Sequence, residues 1–276
     1  MPTITELLAD ARAQLGGDEV DSEAQLLLEE ACGINRSERF TNPHRSVDAD
    51  SAARFYDWLQ RRISGEPLAY ITGRRAFWDL ELDITPEVLI PRADTEILVE
   101  QALAHIPPQA DWQIADLGTG SGAIALVLAR ERSECSIVAV DISAAALSVA
   151  AANARQPGLA SIEFIEGHWL QSLAGRCFDM IISNPPYIES DDPHLLQGDL
   201  THEPGIALSS GSDGLDAIRE IITDSRRCLR NSGWLLLEHG YDQAAAVRDL
   251  LHRYDYREIF TVQDYAGNDR VSGARK

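Results

Sequence analysis

The sequence predicts an α/β protein in which a small helical domain precedes a mostly parallel sheet covered by helices on both faces. Three observations carry that prediction. Apolar residues in the first 64 positions recur at helical spacing; the period changes to strict alternation after Ser64-Gly65-Glu66-Pro67; and beyond Pro91 short apolar runs alternate with helical segments. With 276 residues, 45% of them hydrophobic and 25% charged, the chain can bury one core or two, which excludes disordered and disulfide-stapled classes.

In chain order, Ile4, Leu7, Leu8, Ala11 and Leu15 mark one face of a first helix, with Thr3 or Thr5 as cap and Gly16-Gly17 as stop. A second helix begins near Asp21 or Ser22, carries Ala24, Leu27, Leu28 and Ala31, and ends at Gly33. A third spans about Asp50 to Ile63, with Phe55, Leu59 and Ile63 four apart. Residues 1–64 therefore read as a helical domain. Residues 65–91 read as a hairpin connector: Leu80, Leu82 and Ile84 alternate with polar neighbours, and Thr72-Gly73-Arg74 offers a turn between two extended runs.

Residues 92–276 read as the third and largest part. A helix from Asp94 to about His105 leads into strands at Gln113–Leu117, Ser136–Val140, Ile162–Ile165, Met180–Ser183 and Trp234–Glu238. Helices at Ile124–Arg130, Ala144–Ala154 and Leu215–Leu229 separate them. Such alternation places ligands beyond the carboxyl ends of the strands. Glu258–Gln263 and Arg270–Ala274, flanking Ala266-Gly267-Asn268-Asp269, suggest a closing antiparallel hairpin.

Charge narrows the function. Lys and Arg number 24 against 44 Asp and Glu, a formal net charge of -20, which opposes a nonspecific grip on nucleic acid or anionic lipid. Lys276 is the only lysine, so Schiff-base chemistry is excluded. Cys32, Cys135, Cys177 and Cys228 form no CxxC pair and read as reduced, buried thiols of a cytosolic protein. The seven histidines show no metal-ligand spacing, and neither a membrane span nor a signal peptide is visible.

Two segments carry chemistry. Asp116-Leu117-Gly118-Thr119-Gly120-Ser121-Gly122 ends a strand and opens a helix, where backbone must approach a ligand without a Cβ in between. Asp141 closes the next strand, 23 positions after Gly118, and its carboxylate can accept from both ribose hydroxyls of an adenosyl group. The glycine order is GxGxG, with Ala123 where a dinucleotide fingerprint has its third glycine; dinucleotide folds also accept Ala there, so spacing alone leaves both cofactor classes open. Trp169, just past the third strand, is either a core residue or a platform for adenine, an arrangement worth about 0.5–1.5 kcal/mol beyond area burial.

The second segment is Ser183-Asn184-Pro185-Pro186-Tyr187. The prolines stiffen the backbone and remove two N–H donors, leaving carbonyls to accept. A planar –NH2 could donate to the Asn184 oxygen and the Pro185 carbonyl, with Tyr187 stacked on its flat face. That suits an amide or an aromatic amine.

DLGTGSG at 116–122, VD at 140–141, GHW at 167–169 and NPPY at 184–187 together resemble the release-factor glutamine methyltransferases. So do GEPLAYITGRRAFW at 65–78, LIPRADTE at 89–96, DDPHL at 191–195, HEPGIAL at 202–208 and LLLEHG at 235–240. The resemblance implies a Rossmann-like methyltransferase domain joined through a hairpin to an N-terminal helical domain that recognises the partner. It implies S-adenosyl-L-methionine held by Gly118, Thr119, Gly120, Ser121, Gly122, Asp141, Trp169 and Asn184, and the glutamine of a release factor's GGQ loop held by Asn184, Pro185, Pro186 and Tyr187. Asn184, Pro185 and Tyr187 would serve transfer to the amide nitrogen, in a cytoplasmic, monomeric enzyme that needs no metal and touches neither nucleic acid nor membrane. Ala93 and His168 depart from the family's usual Pro and Asp. Arg92 and Glu96 either line the cofactor site or form an ordinary salt bridge at a helix start. The rival of another substrate class is a DNA adenine-N6 methyltransferase, whose amino group suits the same cradle; the charge of -20 opposes it. A non-catalytic adapter is opposed by the intact motifs at both sites.

Overall fold

The computed structural model describes residues 1–17, 19–155 and 162–276, and these divide into two units, Met1–Arg74 and Arg75–Lys276. In the first unit lie α1 (Ile4–Gln14), α2 (Val20–Cys32), α3 (Arg36–Thr41), α4 (Ala49–Ile63) and α5 (Leu68–Thr72). Thr3 caps α1 in a capping box: its hydroxyl accepts from the Glu6 N–H while Glu6 accepts from the Thr3 N–H at 2.8 Å. Asp48 caps α4 through the Ser51 N–H, and Gly33, in the left-handed region, closes α2. The inward faces of α1, α2 and α4 meet in one core of Ile4, Leu7, Leu27, Leu28, Phe55 and Leu59. Ile63, expected on that face, is exposed because α4 ends beside it at Ser64.

The expected turn at Thr72-Gly73-Arg74 is not a hairpin turn. Ala69, Tyr70 and Ile71 are all buried, which a helical turn started by Pro67 achieves and an alternating strand would not; Gly73, at φ +75°, ends that turn. The hairpin itself is β1 (Arg74–Phe77) and β2 (Leu80–Asp83), and it reverses at Trp78-Asp79. Of the four free cysteines, Cys135 and Cys228 are buried as expected, Cys32 is only partly buried, and Cys177, at the turn before a strand, is exposed.

The second unit continues with α6 (Thr95–His105), β3 (Gln113–Leu117), α7 (Ala123–Glu131), β4 (Ser136–Asp141), α8 (Ala144–Asn153), β5 (Ile162–Glu166), β6 (Phe178–Ser183), α9 (Asp216–Cys228), β7 (Leu229–Glu238), α10 (Ala244–Arg253), β8 (Arg257–Gln263) and β9 (Asp269–Arg275). The strands form one seven-stranded sheet ordered β5-β4-β3-β6-β7-β9-β8, parallel through β7 and antiparallel at β9 and β8. The direction of winding reverses between β3 and β6, so a crevice opens at their carboxyl ends. There Leu117 pairs with Ser183, and the Ser183 hydroxyl donates to the Leu117 carbonyl at 2.7 Å. The strand ends that carry the glycine loop and the NPPY segment are thus fixed side by side.

Asn153, the last residue of α8, is buried and ties the hairpin to the glycine loop. Its amide nitrogen donates to the carbonyls of Asp83 and Ser121, both at 3.0 Å, and its oxygen accepts from the Asp83 N–H at 2.7 Å. Asn153→Ala leaves these backbone groups without their partner, and chemical denaturation should show a loss of about 1–3 kcal/mol.

Candidate active site

A cavity of about 450 Å³ opens at the crevice. Gly118 and Gly120 form its floor; Asp141, Ile142 and Ser143 follow from the end of β4; Gly167, His168 and Trp169 follow from the end of β5; Asn184 and Pro186 stand on the far side. Glu87, Val88 and Leu89 form one rim, and Pro204, Ile206 and Ala207 another. Every strand-end segment singled out from the sequence therefore contributes to this one cavity. Within those segments, Thr119, Ser121, Gly122, Pro185 and Tyr187 are not on its wall.

The glycines are required by geometry. Gly118 has φ +69°, and a Cβ there would lie 3.1 Å from the Trp169 ring. The Gly120 N–H donates to Asp141 Oδ2 and the Ser143 N–H to Oδ1, both at 2.9 Å. Two backbone donors orient the carboxylate and leave its other lone pairs for ribose hydroxyls. Thr119 is buried and donates to Asp116 at 2.6 Å. Burial pushes the Asp116 carboxyl up to about 7.

On the other strand, the Asn184 amide nitrogen donates to the Thr95 hydroxyl at 3.0 Å. Its oxygen is then the group left for a substrate N–H. Tyr187 packs against the core formed by β6, β7 and α9, and its hydroxyl donates to Glu238 at 3.3 Å. Gln243 donates to the Tyr187 carbonyl at 2.9 Å, and a Cβ on Gly214 would lie 2.1 Å from that same oxygen. The NPPY segment is thus clamped from behind.

Neither Arg92 nor Glu96 lines the cavity. Arg92 pairs with the buried carboxylate of Glu203, which also accepts from the Ile90 N–H, so the segment after the first rim is latched to the base of the second. Glu96 accepts from the Trp78 N–H at 2.8 Å and holds the hairpin reversal. His168 lies edge-on to Trp169, and its Nδ1 meets Glu220 at 3.1 Å. Sequence reasoning passed over Thr95, Glu203, Glu220 and Glu238. Thr95, Glu203 and Glu238 fall inside the segments LIPRADTE, HEPGIAL and LLLEHG, so the signal was present without a stated partner; Glu220, on α9, had none.

Charge decides between the two cofactor classes. Glu87, Asp141, Asp216 and Glu220 line the cavity, and no Lys or Arg joins them among the described residues. A pyrophosphate would meet four carboxylates with no Lys or Arg to offset them among the described residues, whereas a sulfonium bearing an ammonium group is attracted. The residues present therefore fit S-adenosylmethionine.

The comparisons with known proteins agree. The profile of the PrmC N-terminal domain matches residues 6–73, and that of the methyltransferase small domain matches residues 93–203. The release factor glutamine methyltransferase of Xylella fastidiosa is 47% identical over 275 residues, covering 100% of this chain and 98% of the relative. Those of Pseudomonas aeruginosa and Escherichia coli are 46% and 44% identical, each covering at least 97% of both chains. Among solved structures, a methyltransferase from Pyrococcus furiosus aligns with a TM-score of 0.56 at 14% identity, over 79% of this chain and 97% of its own. The 16S rRNA N2 G1207 methyltransferase of Thermus thermophilus, solved with AdoMet and guanosine, aligns with a TM-score of 0.55 at 18% identity, over 74% of this chain and 49% of its own; at such identities these two share the fold alone. Fold and site define a Rossmann-like methyltransferase that uses S-adenosylmethionine. Within that class, the chain belongs to the release factor glutamine methyltransferase family.

Two outcomes test the site. Gly118→Ala forces a side chain into the left-handed region and against Trp169, and calorimetry should show S-adenosylmethionine bound about tenfold more weakly or worse. For Asp116 the folded pKa lies above the ordinary carboxyl value, so its contribution to stability is present in acid and lost as pH rises through about 7. The denaturant midpoint of Asp116→Asn should therefore fall less than that of the wild type between about pH 5 and about pH 8.

Proposed function

We propose that the enzyme transfers the methyl group of S-adenosylmethionine to the side-chain amide nitrogen of the glutamine in the GGQ loop of peptide chain release factors. The observation that carries this reading is the orientation of Asn184. Its nitrogen is committed to Thr95, which leaves its oxygen to accept at a wall shared with Gly118, Gly120 and Asp141.

S-adenosylmethionine supplies an electrophilic methyl on sulfur. An amide nitrogen is a poor nucleophile because its lone pair is delocalised into the carbonyl, so the protein's task is to orient it and favour the charge that develops on it. In this reading the Asn184 oxygen takes one N–H of the glutamine and so helps aim the nitrogen lone pair at the methyl, while Pro185, which does not line the cavity, serves by stiffening the segment. Pro186 walls the same space, and Tyr187 acts from behind by holding the segment in place. Gly118, Gly120, Asp141 and Trp169 hold the donor, and Thr119, Ser121 and Gly122 keep the loop in shape behind the wall.

The substrate is a protein loop rather than a duplex, because a chain carrying -20 and a cavity rimmed by carboxylates repel phosphate backbones. The helical unit, residues 1–74, would recognise the partner, and the reaction belongs in the cytoplasm, where release factors work. No helix among the described residues is long and apolar enough to cross a membrane.

Incubation with labelled S-adenosylmethionine and either purified release factor or duplex DNA tests the assignment. The label should map to the glutamine amide; label on adenine and none on protein overturns it. Asn184→Ala should lower turnover by about 10²-fold while cofactor affinity stays near wild type; equal losses in both would remove Asn184 from its role.

A further inference from the structure

Behind the NPPY segment lies a carboxylate that the reaction as described does not use. Glu238, the last residue of β7, is wholly buried. The Tyr187 hydroxyl donates to its Oε1 at 3.3 Å, while Oε2 has no partner at hydrogen-bond distance among the described residues. The Thr95 hydroxyl, at the start of α6, makes no hydrogen bond to this carboxyl group at 3.5 Å or less, but it is near enough to favour the charged form. Thr95 is also the group to which Asn184 donates. One buried carboxylate therefore bonds the hydroxyl of the last residue of NPPY and lies near the hydroxyl to which the first residue donates.

We propose that Glu238 is a positioning residue that sets the hydrogen-bond direction of the substrate cradle, by drawing the Tyr187 and Thr95 hydroxyl protons toward itself and so obliging Asn184 to present its oxygen to the substrate amide. The reason is donor counting. A threonine hydroxyl has one proton to give. Once that proton points at the carboxylate, the Thr95 oxygen can only accept from Asn184. The Asn184 nitrogen must then face Thr95, and its oxygen must face the other way. A small motion of the Thr95 hydroxyl toward Oε2 would also satisfy an acceptor that is otherwise costly to bury. With a neutral amide at position 238 the constraint disappears: an N–H could point at Thr95, Thr95 could donate to Asn184, and the Asn184 amide could turn over, presenting donors to a substrate that itself brings donors.

The surroundings fix the direction of the pH effect. Burial raises the Glu238 carboxyl to about 7, assisted by Asp94 and opposed by Thr95, Tyr187 and Arg270. Arg270, on β9, is itself held by Asp264 at 3.0 Å and Asp94 at 3.4 Å. His239, the neighbour in sequence, turns away to Ser272 and the Gly240 carbonyl. The ionised carboxylate can only accept, whereas the protonated acid carries a proton that it can donate to either hydroxyl, so the direction of the cradle is set above neutrality and loosened below it.

The proposal rests on the assignment of Asn184 to the acceptor amide, and the experiment separates the two. With release factor as substrate, the wild type should show kcat rising through neutral pH, and Glu238→Gln should lower kcat by about 10²-fold, flatten that rise and leave affinity for S-adenosylmethionine unchanged. Thr95→Ser keeps the hydroxyl and should stay near wild type, whereas Thr95→Val should behave like Glu238→Gln. A Glu238→Gln enzyme that loses only thermal stability, with wild-type kcat and pH profile, overturns the proposal. Carbon-13 NMR of glutamate-labelled protein decides the geometry without catalysis. The carboxyl signal missing from Glu238→Gln should titrate well above ordinary glutamates and move in both Tyr187→Phe and Thr95→Val; failure to move in either overturns the proposal. Absence of label on release factor with wild-type enzyme would instead remove the substrate assignment and leave the NMR result to judge Glu238.

Discussion

The site depends on the parallel pairing of β3 with β6. These strands are far apart in the chain, and the winding of the sheet reverses between them, so their carboxyl ends can splay apart without a connecting helix to cover them. The Ser183 hydroxyl bonded to the Leu117 carbonyl limits that splay to a single hydrogen-bond length. One residue beyond each of these partners stand Gly118 and Asn184, which both line the cavity. A methyl transfer to a weak nucleophile gains most from fixed separation and angle, and here both are inherited from backbone register. Loops placed on a less constrained scaffold would have to recover that order at an entropic cost.

Around this pairing the protein adds struts that act through backbone rather than through the cavity wall. Asn153 joins β2 to the glycine loop, Gln243 joins α10 to the Tyr187 carbonyl, and Arg92 with Glu203 joins the two rim segments. Each strut satisfies polar groups that folding has taken from water, so each is costly to break from one side only. Function and stability are therefore coupled at these positions, and a variant there must be judged by folding as well as turnover.

Most of this architecture was legible in the sequence, for identifiable reasons. The strands of the sheet are short apolar runs bounded by turn residues, and their type survives any small error at their ends: β7 begins at Leu229 rather than Trp234, and β6 at Phe178 rather than Met180. Helix α5 was not legible, because a five-residue apolar run after a proline has too few residues to show a period, and only tertiary burial of Ala69, Tyr70 and Ile71 selects the helix. Helix α10 was passed over because Ala244-Ala245-Ala246 opens it with no polar contrast, although its later residues are amphipathic. At the site, residues recognised by type and place, such as Gly118, Asp141 and Asn184, could be read directly. Thr95, Glu203 and Glu238 could not, since their meaning lies in partners roughly 50 to 110 positions away that no local pattern announces.

Charge resolves what motif chemistry leaves open, and it does so twice at different scales. Within the cavity, four carboxylates with no opposing Lys or Arg among the described residues make a poor berth for pyrophosphate and a good one for a cation, so the glycine loop is read as a sulfonium site although its spacing tolerates a dinucleotide. Over the whole chain, a net charge of -20 makes a duplex an unfavourable partner, although NPPY chemistry alone suits an adenine amine as well as a glutamine amide. The two effects are compatible because they act over different ranges: cavity carboxylates such as Asp141, oriented by two backbone donors, act on a cation at short range, where salt screens little, whereas the net charge acts at long range through a field that salt weakens. Raising ionic strength should therefore relax discrimination against polyanions before it loosens the hold on the methyl donor.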